Sequence, residues 1–181
     1  MKKLLITLLF VFITAGLCFA GSSMEEIKQD LGVYNTEINP KIVDGLSKIE
    51  QEMVEIDNVL EGKSKKNIQT ILKVVENQVT SIEKHMKEQA SKIKTPEVKK
   101  YHDVTLEYIK ARYAFLKDVV DTYVKKGKIE ESDQEKLVKK YSGTFEKLNK
   151  ENAEALQVLM NVLHVNLTDN ATNNNANKTA K

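Results

Sequence analysis

Apolar residues recur three and four positions apart through most of this chain, the spacing that lines one face of an α-helix. The clearest run lies between 64 and 93, where Ile68, Leu72, Val75, Val79, Ile82, Met86, Gln89 and Ile93 alternate steps of four and three. That alternation is a heptad seam. Gly62 breaks the chain before it and Ser64 offers a cap; Thr95-Pro96 closes it and opens the next helix with a capping residue and a proline at its first helical position. The next segment, 96–126, carries Leu106, Ile109, Tyr113, Leu116, Val120 and Tyr123 and stops at Gly127 after two lysines.

A last segment, 131–165, starts with Ser132 and Glu135 in the capping-box spacing and continues through Leu137, Tyr141, Phe145, Leu148, Asn152, Ala155, Leu159 and Val162. Asn152 falls on the seam, where a polar residue fixes register. The first segment, 23–61, contains Pro40. Ile27, Leu31, Tyr34 and Ile38 precede it; Ile42, Leu46, Ile49, Met53, Ile56 and Leu60 follow, with the seam slipped by one position. Either a kinked helix or two helices suits a proline there. Length decides: the other segments reach about 45–50 Å at 1.5 Å per residue, whereas 40–61 alone reaches about 33 Å. One long kinked helix is expected.

Four such helices with short connections predict an all-α fold, an antiparallel up-down-up-down four-helix bundle over residues 21–165. From Asn166 the pattern gives way to a polar stretch in which six of sixteen residues are Asn, read as a disordered tail over 166–181. Its Asn-x-Thr triplets at Asn166, Asn170 and Asn177 are read as unmodified.

The first twenty residues differ from all this. Lys2 and Lys3 precede an apolar run from Leu4 to Leu17, and Cys18, Phe19 and Ala20 offer a small-residue cleavage site before Gly21. The reading is a cleaved signal peptide over 1–20 and a secreted or periplasmic protein, with membrane attachment only through an uncleaved signal segment. Removing it takes two of the 28 basic residues and none of the 26 acids, leaving 26 of each. A neutral domain has no long-range field for nucleic acid, and Arg112 is the one arginine available for bidentate phosphate contacts. With Cys18 gone no cysteine remains, which excludes thiol redox chemistry, Cys-ligated zinc and iron–sulfur clusters from the mature form.

No phosphate-binding glycine loop, zinc helix, calcium loop or nucleophile elbow occurs, and acids alternate with lysines as on a solvated face, as at Glu83, Lys84, Lys87 and Glu88. Folding the second helix on the third brings His85 and His102 within about one turn, with His164 toward the same end. These three are the candidate metal ligands, weighed against a reading as partly exposed surface histidines. Tyr101, Tyr108 and Tyr113 make the third helix the candidate partner-facing element.

The run Thr95, Pro96, Glu97, Val98, Lys99, Lys100, Tyr101, with the Gly127-Lys128-Ile129 break, resembles the second half of the soluble periplasmic four-helix b-type cytochromes. That resemblance implies the fold. Those proteins ligate haem with a Met on the first helix and a His on the last; Met24 starts the first helix here, but no histidine lies between Leu137 and Leu163. No cofactor is therefore expected. The sequence points to a secreted or periplasmic non-catalytic helical protein that binds a protein partner, as an accessory, adaptor or chaperone-like factor. A periplasmic metal- or haem-binding bundle is the alternative, and an enzyme with its site in irregular structure the third. Seams do not specify which chain they face, so self-association is open as well.

Overall fold

In the computed structural model the backbone is described for residues 21–176 and side chains for residues 21–163. The expected signal segment lies outside the described residues, as do residues 177–181 of the expected tail. Every described element is helical: α1 (Met24–Val33), a π-helical turn (Tyr34–Ile38), α2 (Asn39–Leu60), α3 (Ile68–Gln89), α4 (Pro96–Lys126) and α5 (Glu131–Ala176). α1, the π turn and α2 join without a break, so the chain makes four long helices.

α1 begins in a capping box, with the Ser23 hydroxyl accepting from the Glu26 N–H at 3.3 Å and the Glu26 carboxylate accepting from the Ser23 N–H at 2.8 Å. The π turn ends with the Asn39 N–H donating to the Tyr34 carbonyl, five residues back. This wider turn absorbs one extra residue, which is the one-position slip of the apolar seam. It also suits Pro40, the second residue of α2, which has no N–H to give.

After the slip the core face of α2 differs from the predicted seam. Gly45 is buried and Leu46 is 38 % exposed, because α2 approaches α3 so closely that a Cβ on Gly45 would stand 2.6 Å from Ile82 Cδ1. Ile42, Ile49, Ile56 and Val59 complete the face. Each such side chain, fully removed from water, contributes about 1.5–3 kcal/mol before the cost of ordering the chain.

Caps differ from the sequence reading at three helices. Asn67 caps α3, its side chain accepting from the Gln69 and Thr70 N–H groups at 2.9 and 3.2 Å. Ser64 instead donates to Glu55 at 2.5 Å. At α4, Thr95 holds the N-cap position but its hydroxyl makes no capping bond. At α5 it is Asp133, not Glu135, that reaches back, accepting from the Glu130 N–H at 3.4 Å. Gly127 ends α4 at φ +74°, its N–H donating to the Tyr123 carbonyl at 2.7 Å.

α2 packs on α3, α3 on α4 and α4 on α5, while α1 touches α4 and α5. The main core joins Ile27, Tyr34 and Ile38 to α2, α3 and one face of α4; among the described side chains of α5 only Leu159 belongs to it, with Val162 packed against it. The opposite face of α4 meets the first half of α5 in a second apolar layer. Val104, Val119, Phe145 and Leu148 are buried there, outside the main core. Tyr108, Phe115, Tyr141 and Phe145 stack ring against ring in it at 5.4 to 6.3 Å. Asn152 is half-buried on the same helix.

Where a disordered tail was expected from Asn166, α5 continues as helix to Ala176. The chain has no Gly or Pro after Gly143, so no residue stops the backbone ladder once it is under way.

Candidate functional site

Of the buried polar residues, Asp30, Thr95 and His102 gather around the π turn, while Asp133 lies at the α4–α5 turn. Asp30, on the last stretch of α1, is 4 % exposed and its Oδ2 accepts from the Lys94 N–H (2.7 Å), the Thr95 N–H (2.6 Å) and the Thr95 hydroxyl (2.8 Å). Burial pushes its carboxyl up, but these donors and the Lys94 charge outweigh it and hold the group below the usual range. Asp30 thus ties α1 to the segment that opens α4, which is why Thr95 does not cap its own helix.

One turn later, Tyr34 is 3 % exposed and lies against the Tyr101 ring at 5.4 Å and edge-on to His102 at 5.9 Å. Its hydroxyl has no partner at hydrogen-bond geometry; the neighbouring Thr105 hydroxyl, which donates to the Tyr101 carbonyl at 2.8 Å, only partly opposes the effect of burial on the phenol. Burial, with the nearby Tyr101, pushes the Tyr34 phenol well above its ordinary value. His102 is 2 % exposed, with Nδ1 unpartnered. Burial lowers its pKa, Asp103 and the Met86 backbone oppose that, and His85 adds to it. The ring is therefore held neutral at pH 7.

His85 is half-exposed and its Nε2 donates to the Glu37 carbonyl, within the π turn, at 3.0 Å. Lys92 pairs with the Glu37 carboxylate beside it. The structure brings His85 and His102 together as the sequence implied, but gives them separate tasks: one braces the π turn from α3, the other fills the core from α4. His164 lies in α5 beyond the described side chains. Among the described residues no three or more His, Cys, Asp or Glu side chains are grouped to hold a metal ion.

The three tyrosines turn toward other helices of the same chain. Tyr101 faces Tyr34; Tyr108 lies at 6.3 Å from Phe145 with Arg112 over its ring; Tyr113 packs against the main core, its phenol pushed up by burial and by Glu76. Exposed apolar side chains are scattered over all the helices, Val74, Val124, Val138, Met160 and Leu163 among them, but on α2 three share one face: Val43, Leu46 and Val54, which are 56, 38 and 58 % exposed. Met53 and Leu60 are half-buried beside them. Asp57 shares this face, its carboxyl pushed up by partial burial and by Glu61.

Sequence reasoning missed Asp30 and Tyr34 as site residues and weighed His102 between a metal ligand and a partly exposed surface group, whereas it is buried in the core. A signal for His102 was present: one step of four back from Leu106 along the α4 seam lands on it. Asp30 stands three residues after Ile27 and four before Tyr34, also on the buried stripe.

One cleft lies beside the start of α1 and another at the far end of α4. Met24, the residue singled out by the cytochrome resemblance, lines one with Ile27, Glu97, Val158 and Val162 at the start of α1. The other, at the α4–α5 turn, is polar: Asp118 accepts from Lys140 and the Tyr141 hydroxyl at 2.6 and 2.7 Å, and Asp133 from Lys126 at 2.5 Å. Among the described residues no helix is long and apolar enough to cross a membrane. No family model, no curated protein and no solved structure matches this chain.

Proposed function

We propose that this is an exported, non-catalytic helical protein that works by holding a partner helix along α2, an accessory or adaptor role in the periplasm or outside the cell. The observation that carries it is the apolar face of α2, Val43, Leu46 and Val54, left uncovered because α5 packs on α4 instead. Glu50, Asp57 and Glu61 punctuate that face. A helix with an apolar stripe bordered by lysines complements it in both shape and charge.

The reading includes the topology: four long helices alternating up and down, with the first bent at its π turn. Its support is the order of contacts. Along α4 and α5, Lys100 pairs with Glu154, Tyr108 stacks on Phe145 and Lys126 pairs with Asp133, so later residues of one helix meet earlier residues of the next. His85 of α3 to Glu37, and Ser64 of the connection before α3 to Glu55, follow the same order against the first helix.

The test compares the unaltered protein with Leu46→Glu and Val54→Glu. Both substitutions are at exposed positions, so the fold should stand by circular dichroism while capture of a specific envelope or culture-fluid protein is lost. Equal recovery of that protein with all three baits would remove α2 as the contact face. Solution mass separates a foreign partner from a second copy: self-association abolished by Leu46→Glu would identify the copy.

A further inference from the structure

The beginnings of α1 and α4 meet at one carboxylate. The Ser22 N–H donates to Glu97 Oε1 at 3.1 Å. A Cβ on Gly21 would stand 2.1 Å from that same oxygen, so the Glu97 carboxylate lies directly against the Gly21 backbone. The other oxygen, Oε2, is buried without a hydrogen-bond partner, and a buried carboxylate oxygen left bare is unfavourable. Because Cβ and the amide nitrogen are bonded to one Cα, the Gly21 nitrogen lies no more than about 4.6 Å from Oε1.

What that nitrogen is depends on processing. In an uncut chain it is a neutral amide joined to Ala20. Hydrolysis of the Ala20–Gly21 bond by a processing peptidase breaks the C–N bond, water supplying the hydroxyl to the Ala20 carbonyl carbon and a proton to the nitrogen; the new Ala20 carboxylic acid then ionises, and the amine takes up that second proton. The result is an α-ammonium with three donors. We propose that Glu97 is the receiving site for this new Gly21 α-ammonium, so that removal of the leader completes the contact between α1 and α4.

Competing partners are already engaged: Glu26 is held by Ser23, and Glu25 by Lys28 at 2.6 Å. A positive charge at the N-terminal end of α1 opposes the helix dipole. A nearby carboxylate offsets it, and Glu97 adds to Glu25 and Glu26 of the first turn from across the α1–α4 contact. The ordering is directional, since the ion pair exists only after the cut.

The proposal rests on the export reading, and the experiment separates the two. Protein beginning at Gly21 is prepared with a free or an acetylated terminus, each with Glu97 or Glu97→Gln, and the Gly21 α-amino group is titrated by NMR. With Glu97 it should titrate at least one unit above its ordinary value of about 7.7–8.0, and return to that range in Glu97→Gln. Acetylation should lower the folding equilibrium constant several-fold when Glu97 is present and leave it unchanged in Glu97→Gln. A titration insensitive to Glu97, or effects of acetylation and Glu97→Gln that simply add, overturns the proposal and leaves export untouched. An exported or cell-retained form that still carries Ala20 overturns the export reading and the processing step with it, even where the pair forms in purified protein.

Discussion

Replacing Gly45 by alanine sets two effects of known size against each other. Alanine is favoured over glycine inside a helix by about 1 kcal/mol, so at an open site the change would stabilise. At position 45 the new methyl would meet Ile82 Cδ1 at 2.6 Å and Cγ1 at 2.7 Å, about 1 Å inside the optimal carbon separation of roughly 3.5–4.0 Å. Ile82 is completely buried, so moving aside displaces other core side chains. Overpacking of this kind costs about 1–3 kcal/mol. Confinement of Ile82 from all sides puts the cost in the upper part of that range, and we expect a net loss of about 1–2 kcal/mol. Urea unfolding at constant m would read it directly. The diagnostic control is Ile82→Ala, which removes both offending atoms at its own cost of about 2–5 kcal/mol. On that background Gly45→Ala should change sign and stabilise by about 1 kcal/mol. If Gly45→Ala stabilises the unaltered chain, or has the same sign in both backgrounds, α2 and α3 do not approach as described.

Tyr34→Phe removes a buried hydroxyl that has no partner at hydrogen-bond geometry, so it should leave stability unchanged or raise it by about 1–2 kcal/mol; a loss beyond 1 kcal/mol in thermal unfolding would mean that the hydroxyl is satisfied. Asp30→Ala strands the Lys94 and Thr95 donors and should cost about 2–4 kcal/mol. Because the folded Asp30 carboxyl is held low, its contribution is full above the unfolded value of about 3.9 and is lost as pH falls through the folded value. The same sign applies to His102, whose pKa is also depressed: the unfolded chain binds the proton first, so stability falls with acidification from about pH 6.5 downward. His102→Leu should flatten the stability curve in that upper window and leave the Asp30 window in place, as measured by urea midpoints from pH 7 to 3. Gly127→Ala forces a Cβ into the left-handed region at φ +74° and should cost about 1 kcal/mol, read as a fall of roughly 2–4 °C in Tm.

Much of the architecture was legible because the seams of α3, α4 and α5 are long and regular. Ile68 to Met86 on α3, and Phe145, Leu148, Ala155 and Leu159 on α5, are buried as their spacing implies. The slip near Pro40 was visible too, although periodicity cannot distinguish a bend from an inserted residue. Leu46 was misjudged because hydrophobicity favours it over Gly45, whereas a close helix approach rewards the absence of a side chain. The caps failed for a related reason: Ser64 and Thr95 have the right chemistry, but long-range acceptors, Glu55 and Asp30, compete for their hydroxyls. The polar cluster at the π turn was hidden because Asp30 and His102 are charged or ionisable by type, and only their three-dimensional neighbours make burial tolerable.

The division of apolar contacts into two layers separates the molecule's fluctuations. Among the described side chains Leu159 and Val162 tie α5 to the inner core, whereas Phe145 and Leu148 hold its first half to the back of α4. Peeling that half away exposes one layer and leaves α1, α2, α3 and the inner face of α4 intact, so its amides should exchange with solvent at a lower opening free energy than those of α3. The protein would then possess a hinged outer arm on a firm three-rod chassis, able to swing without melting what carries it.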